Sequence, residues 1–113
     1  MKTTNWTQQA AFAITVCDVD GLIIEMNEKA CETFIKYGGA ELIGTNVLDC
    51  HTEPSRSMLA EMMRTQQSHT YTIEKRGRKK LIHQTPWYED GKYMGFVEIS
   101  FELPDPVPNQ VKE

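Results

Sequence analysis

Hydrophobic and polar positions alternate with a period of two at both ends of this chain, and with a helical period between them. Phe12 to Asn27 reads as a hairpin: Ile14 and Val16 alternate with Thr15 and Cys17, and beyond the turn Leu22, Ile24 and Met26 fall on one face of a second strand. Asp20-Gly21 supplies the turn, because glycine at the second central position accepts positive φ without a Cβ penalty. Asn27 stands where a helix N-cap is wanted, ahead of Ala30, Cys31, Phe34 and Ile35, whose spacing makes one apolar stripe on a helix over 28–37. Gly38 and Gly39 suit a left-handed cap that closes it. Glu41-Leu42-Ile43 adds a short helical turn stopped by Gly44, and 45–52 reads as a connecting loop.

Pro54 opens the second half as a helix start, since its fixed φ and missing N–H suit the first helical position. Met58, Leu59, Met62 and Met63 then form a flexible, sulfur-rich stripe on a helix ending near Thr65 to Ser68. The last third returns to alternation. A strand over 70–75 turns at Arg76-Gly77-Arg78 into a strand over 79–87, and Asp90-Gly91 turns that into a last strand. There Tyr93, Gly95, Val97, Ile99 and Phe101 share a face against Glu98, Ser100 and Glu102. Residues 4–10 suit a short helix laying Trp6 on a sheet. The tail carries Pro104, Pro106 and Pro108, which predict an extended, mobile exit. Strands at both ends with helices between them fit the α+β class, with the strands of both ends free to join into one antiparallel sheet.

Composition narrows the functional classes. With 113 residues and 40% hydrophobic content, the chain can build one core, so a single domain is expected. A formal charge of −4 argues against nucleic acid as a partner, because phosphate binding needs a basic face. Cys17, Cys31 and Cys50 are odd in number and lack Cys-x-x-Cys spacing, which excludes a disulfide framework and predicts a reduced, cytoplasmic setting. The N-terminus has no apolar signal region and no apolar run has the length of a membrane span, so no membrane association is expected.

The Asp18-Val19-Asp20-Gly21 turn with Asn27 downstream, the Glu41-Leu42-Ile43-Gly44 element, and the Asp90-Gly91 turn before Tyr93-Met94-Gly95 occur here in one order and spacing. That set resembles a bacterial PAS sensory domain. The resemblance covers about 12–103, leaving 1–11 as a flanking segment and 104–113 as a proline-rich tail. It implies a PAS-like fold, one five-stranded antiparallel sheet with helices packed on one face, and a signal-transduction role: binding a small ligand or a partner protein, and relaying a conformational change without catalysis. It also implies a pocket between helices and sheet, with Phe34, His51, Met58, Met62, Tyr71, Ile73, Trp87, Val97 and Ile99 as candidate lining. The methionine helix agrees in kind, since thioethers repack around different guests; the same side chains would equally serve to fill a core. The cofactor is left unknown, because family members hold haem, flavin, organic acids or nothing. Homodimerisation is expected, with Trp6 as a candidate dimer contact.

The run Asp49-Cys50-His51-Thr52-Glu53-Pro54 resembles a subgroup that carries Cys-His-Pro at this point, with two residues intervening here. Three roles for His51 stay open: satisfying backbone or water, contacting a ligand carboxylate, or serving as an axial haem ligand. In haem-binding members the ligating histidine lies within the helix rather than before its proline. No other metal site is expected, because adjacent Cys50 and His51 diverge, and no catalytic residue is assigned. Two alternatives are carried forward. One is a ligand-free interaction scaffold, and the other is an enzyme on a small cone-shaped α+β fold with His51 or His83 as general base. The basic run Lys75-Arg76-Gly77-Arg78-Lys79-Lys80 reads as a solvated hairpin tip, or as a docking patch for an acidic partner.

Overall fold

Asn27 ties the first half of the chain together. Its Oδ1 accepts from the backbone N–H of Ala30 at 2.9 Å, capping α1 (Glu28–Thr33), and from that of Ile14 at 2.9 Å. Its Nδ2 donates to the carbonyls of Thr7 and Phe12 at 2.9 and 2.8 Å. A buried amide with both groups satisfied thus fixes helix, first strand and N-terminal turn in one place. The computed structural model describes residues 4–113, so residues 1–3 of the expected flanking segment lie outside the described residues.

The strands are β1 (Ala13–Cys17), β2 (Ile23–Met26), β3 (His69–Lys75), β4 (Arg78–Glu89) and β5 (Lys92–Glu102), and the second helix is α2 (Ser55–Thr65). All five strands join one antiparallel sheet in the order β2-β1-β5-β4-β3, so the two ends of the chain meet at the β1–β5 seam. Arg76-Gly77 and Asp90-Gly91 both carry two consecutive positive φ values, the turn geometry whose twist matches paired strands. Between the helices the chain advances in short 3-10 turns at Ile35–Tyr37, Gly39–Leu42 and Val47–Cys50. The expected helix over 28–37 therefore tightens after Thr33, with Gly38 left-handed at φ 117° as its stop. Glu53 caps α2 by accepting from the Ser57 N–H at 3.0 Å.

Two expectations about faces need correction. The β1–β2 register shifts between Val16 and Cys17, which turns Ile23 and Met26 into the core and leaves Leu22 and Ile24 41% and 48% exposed. The second correction is larger. The β1–β5 register pairs Ala13 with Ser100, Thr15 with Glu98 and Cys17 with Phe96, and these buried positions face the helices. Ile14, Val16, Val97 and Ile99 therefore lie on the opposite, outer face, and Trp87, opposite Gly95 on β4, shares their parity. Alternation defines two faces of a strand but not which of them the helices cover.

The core is built from Ala13, Cys17, Ile23, Met26, Ala30, Val47, Leu59 and Phe96. Of the methionine stripe, Met62 and Met63 pack against that core beside the buried Leu59, while Met58 is half-buried off it. Trp6 remains 65% exposed in an N-terminal turn, with its ring 6.4 Å from Phe12 rather than laid on the sheet.

Candidate functional site

A cleft of about 270 Å³ opens between the end of α1, the loop before α2, and the helix-facing sides of β3, β4 and β5. Thr33, Phe34 and Tyr37 form one wall; Cys50, His51, Thr52 and Ser55 form the second; Tyr71, Ile73, Lys75, Lys80, Ile82, Glu98 and Ser100 form the floor.

His51 joins the second wall to this floor. Its Nδ1 lies 2.9 Å from the Val47 carbonyl and its Nε2 3.1 Å from Glu98 Oε1, with only about a tenth of either partner's side chain exposed. Both ring nitrogens meet acceptors, so both must carry protons and the ring is a cation. Burial alone would push its pKa down. Hydrogen bonds to Cys50 and Glu98, the Glu98 charge and the Val47 carbonyl outweigh burial and lift it to about 10. Glu98 also accepts from Gln84 Nε2 at 2.7 Å, and Gln84, 1% exposed, lies 3.5 Å from the Tyr71 hydroxyl. Burial pushes the Tyr71 phenol up, against hydrogen bonds from Ser55 and Gln84. The chain of polar contacts therefore runs from the loop before α2, through the central strand β5, to β4 and β3.

The raised pKa makes a signed prediction. A cation favoured in the folded state contributes stability fully present below the ordinary 6.5 and lost as pH rises through about 10. The melting temperature of the parent should thus fall across that window, and the difference between parent and a His51→Leu variant should shrink with it. A parent-minus-variant difference that stays constant would sink the assignment.

Behind the cleft, a void of about 10 Å³ is bounded by Thr15, Cys17, Val47, Leu59, Gln84, Phe96, Val97 and Glu98. It has room for one water at most, and the buried Gln84 Oε1 has no hydrogen-bond partner among the described residues. A macrocycle does not fit. An axial role for His51 would further require one ring nitrogen to lose its proton and give up its hydrogen bond, Nε2 that to Glu98 or Nδ1 that to the Val47 carbonyl. Among the described residues no three His, Cys, Asp or Glu side chains are grouped to hold a metal ion. His83, the other candidate base, bonds Thr70 Oγ1 at 2.7 Å on the outer face, remote from the cleft.

Four of the nine lining candidates, Phe34, His51, Tyr71 and Ile73, meet at the cleft. Met58 and Met62 belong to the roof beside it, and Trp87 and Ile99 lie on the other face of the sheet, as does Val97, which only borders the void. Sequence reasoning passed over Glu98, Gln84, Ser55, Ser100 and Lys80. Their signal was present: Gln84, Glu98 and Ser100 are polar residues in long strands that a five-stranded sheet must bury centrally, where polar groups persist only with partners.

The sequence profile of the PAS fold matches residues 7–105. The chain belongs to the PAS fold family. No curated protein sequence matches it. Among solved structures, the sensor region of a sensor histidine kinase superposes with a TM-score of 0.63 at 17% identity, over 88% of this chain and 42% of that one. The chain thus spans less than half of that sensor region. A PAS domain from Colwellia psychrerythraea superposes with a TM-score of 0.65 at 23% identity, over 87% of this chain and 91% of its own. A Vibrio cholerae receptor described as a dual PAS-haem oxygen sensor gives 0.63 at 14% identity, over 83% of this PAS domain and 96% of that chain. At these identities the likeness concerns the fold. No helix of the described PAS domain is long and apolar enough to cross a membrane.

Proposed function

We propose that this PAS domain is a non-catalytic sensory module whose ligand enters the His51 cleft and whose response is a change in how the loop before α2 grips β5. The observation that carries this reading is the buried His51–Glu98 contact at the cleft floor. It joins a wall that a ligand would touch to the central strand of the sheet. A molecule that hydrogen-bonds Tyr71, Ser55 or Ser100 competes with or reinforces that grip, and so biases one packing of loop against sheet over another. Binding rather than turnover is supported by His51, whose two nitrogens are committed to structural partners and leave no base free.

The response would leave through the outer face, where Ile14, Val16, Val97 and Ile99 form a half-buried apolar strip, with Phe101 at its exposed end. A second copy or another protein is the natural partner for it. Titrating a fragment set into the 15N-labelled chain tests the site: bound fragments should shift amides of 50–53, Ser55, Tyr71 and Ser100 together and raise the melting temperature. Fragments that bind only on the outer face would overturn the proposed entry point.

The near-filled interior favours a second reading, a ligand-free scaffold that uses the same outer face. For that scaffold no fragment would shift the cleft amides at all.

A further inference from the structure

We propose that the open edge of β3 docks an extended, acidic segment of a partner protein, which joins the sheet as a further strand. The sheet order β2-β1-β5-β4-β3 leaves two edges, and the chain treats them differently. Beside β2, the Ile23 N–H donates to the Thr45 carbonyl at 2.8 Å, the Gly44 N–H to the Ile23 carbonyl at 2.7 Å and the Val47 N–H to the Gly21 carbonyl at 2.7 Å, so that edge is closed. Along β3 no such cover exists among the described residues.

Which backbone groups stay open follows from the hairpin. Arg76 and Gly77 form a two-residue turn with φ of 55° and 74°, so Lys75 and Arg78 close it as a hydrogen-bonded pair, and bonded pairs then alternate along the register. Lys75, Ile73, Tyr71 and His69 thus bond β4, while Thr70, Thr72 and Glu74 turn both N–H and C=O to the open side. Lys79, opposite Glu74, agrees with this phase: its carbonyl accepts from the Leu103 N–H at 2.9 Å, at the end of β5 and away from β3. Native edges are normally blunted by a bulge, a proline, a charge or a covering segment. The register of β3 is unbroken over its seven residues, which include no proline, and no Asp, Glu, Lys or Arg stands from His69 to Ile73.

Charge selects the occupant. Five of the 12 Lys and Arg residues of this chain of net charge −4 stand within 75–80, at one end of that edge. Arg78 is engaged by Glu102 at 3.4 Å, whereas Lys75, Arg76, Lys79 and Lys80 have no ion pair among the described residues. A strand running antiparallel to β3 brings its N-terminal end to Lys75 and Arg76, so acidic side chains belong there. Further along, alternate side chains fall beside Tyr71 and Ile73; Ile73 is 39% exposed, so apolar residues suit those positions. Main-chain bonds supply the affinity, and the charged end sets direction and partner. This docking needs neither a ligand in the cleft nor the outer face of the sheet.

The test titrates the full 15N-labelled chain with a short blocked peptide of alternating valine and threonine that begins with a pair of glutamates. Saturable binding should slow hydrogen exchange at Thr70, Thr72 and Glu74 and leave Tyr71 and Ile73 unchanged, the alternation that strand pairing requires. A peptide beginning with lysines instead should bind about tenfold or more weaker, since attraction is replaced by repulsion. Thr72→Pro removes an N–H where an edge strand tolerates proline; it should abolish the protection, with its β5 amides verifying the fold. N-methylating the peptide amides that face β3 should abolish binding without altering the peptide's charge. Binding that survives N-methylation, or that shifts 75–80 without protecting Thr72, would leave only a charged patch and overturn the proposal. So would failure of the acidic peptide to bind at millimolar concentration. Protection of the same amides that grows with chain concentration alone would overturn it in favour of a second copy, and binding to phosphatidylglycerol vesicles in place of the peptide would overturn it in favour of a lipid surface.

Discussion

Replacing His51 with leucine should cost about 3–5 kcal/mol of folding free energy, because it strands a buried carboxylate whose cationic partner is gone. Glu98 would keep only the Gln84 amide at 2.7 Å. The loop before α2 would also lose its link to β5, since His51 is the side chain that joins the Val47 carbonyl to Glu98. The loss should be conditional. A His51→Leu/Glu98→Met double variant, with both charges removed and the volume refilled, should recover most of the stability, since apolar replacement of a whole buried pair is often neutral or better. Urea unfolding of parent, single and double variants measures both effects. A single variant within about 0.5 kcal/mol of the parent, the range of an ordinary surface change, would contradict the role assigned to the pair.

Gly95→Ala should be comparably severe for a different reason. A Cβ there would sit 2.1 Å from the Cys17 carbonyl oxygen and 2.7 Å from the Asp18 carbonyl carbon, and both are backbone atoms of the strand end that β5 must approach. The residue also adopts φ +138°, which side chains of L residues rarely tolerate. Opposite it, Trp87 donates Nε1–H to the same Cys17 oxygen at 3.1 Å, so parting the strands would break that bond as well. A loss of at least about 3 kcal/mol is expected, combining steric overlap with backbone strain. Gly91→Ala makes the control. Its φ is +79° and nothing lies within 4 Å of its Cβ, so only the left-handed backbone cost of about 1–2 kcal/mol remains. Equal denaturation midpoints for the two variants would refute the close approach of β1 and β5.

Why some of this was legible in the sequence and some was not follows from what each residue answers to. Asp90-Gly91, Asn27 and Pro54 act on their own neighbours, so turn, cap and helix start could be read from a few letters; the structure places the first two where they were expected, and α2 starts one residue late, at Ser55, with Pro54 as its N-cap. The order of elements left β1 and β5 free to pair, and the resemblance to a family made that pairing specific. Which face of β5 the helices cover depends on packing across the whole domain, so Val97 and Ile99 were read into the pocket although the register turns them outward. The bulge at Val16 and Cys17 likewise reversed Leu22 and Ile24, an insertion that no alternation shows in advance. His51 was visible as a loop histidine with three open roles. Glu98, which with Gln84 decides among those roles, read as the polar side of a strand, because the partners that bury it come from the loop before α2 and from β4.

The account turns on the protonation of one imidazole, and 15N NMR of the His51 side chain reads it directly. At a pH of about 8, between the ordinary 6.5 and the raised value of about 10, His51 should show two protonated ring nitrogens, with a hydrogen-bond coupling or contact to Glu98. A spectrum at that pH showing a neutral ring with one bare nitrogen would mean that the charged clasp between loop and central strand does not exist.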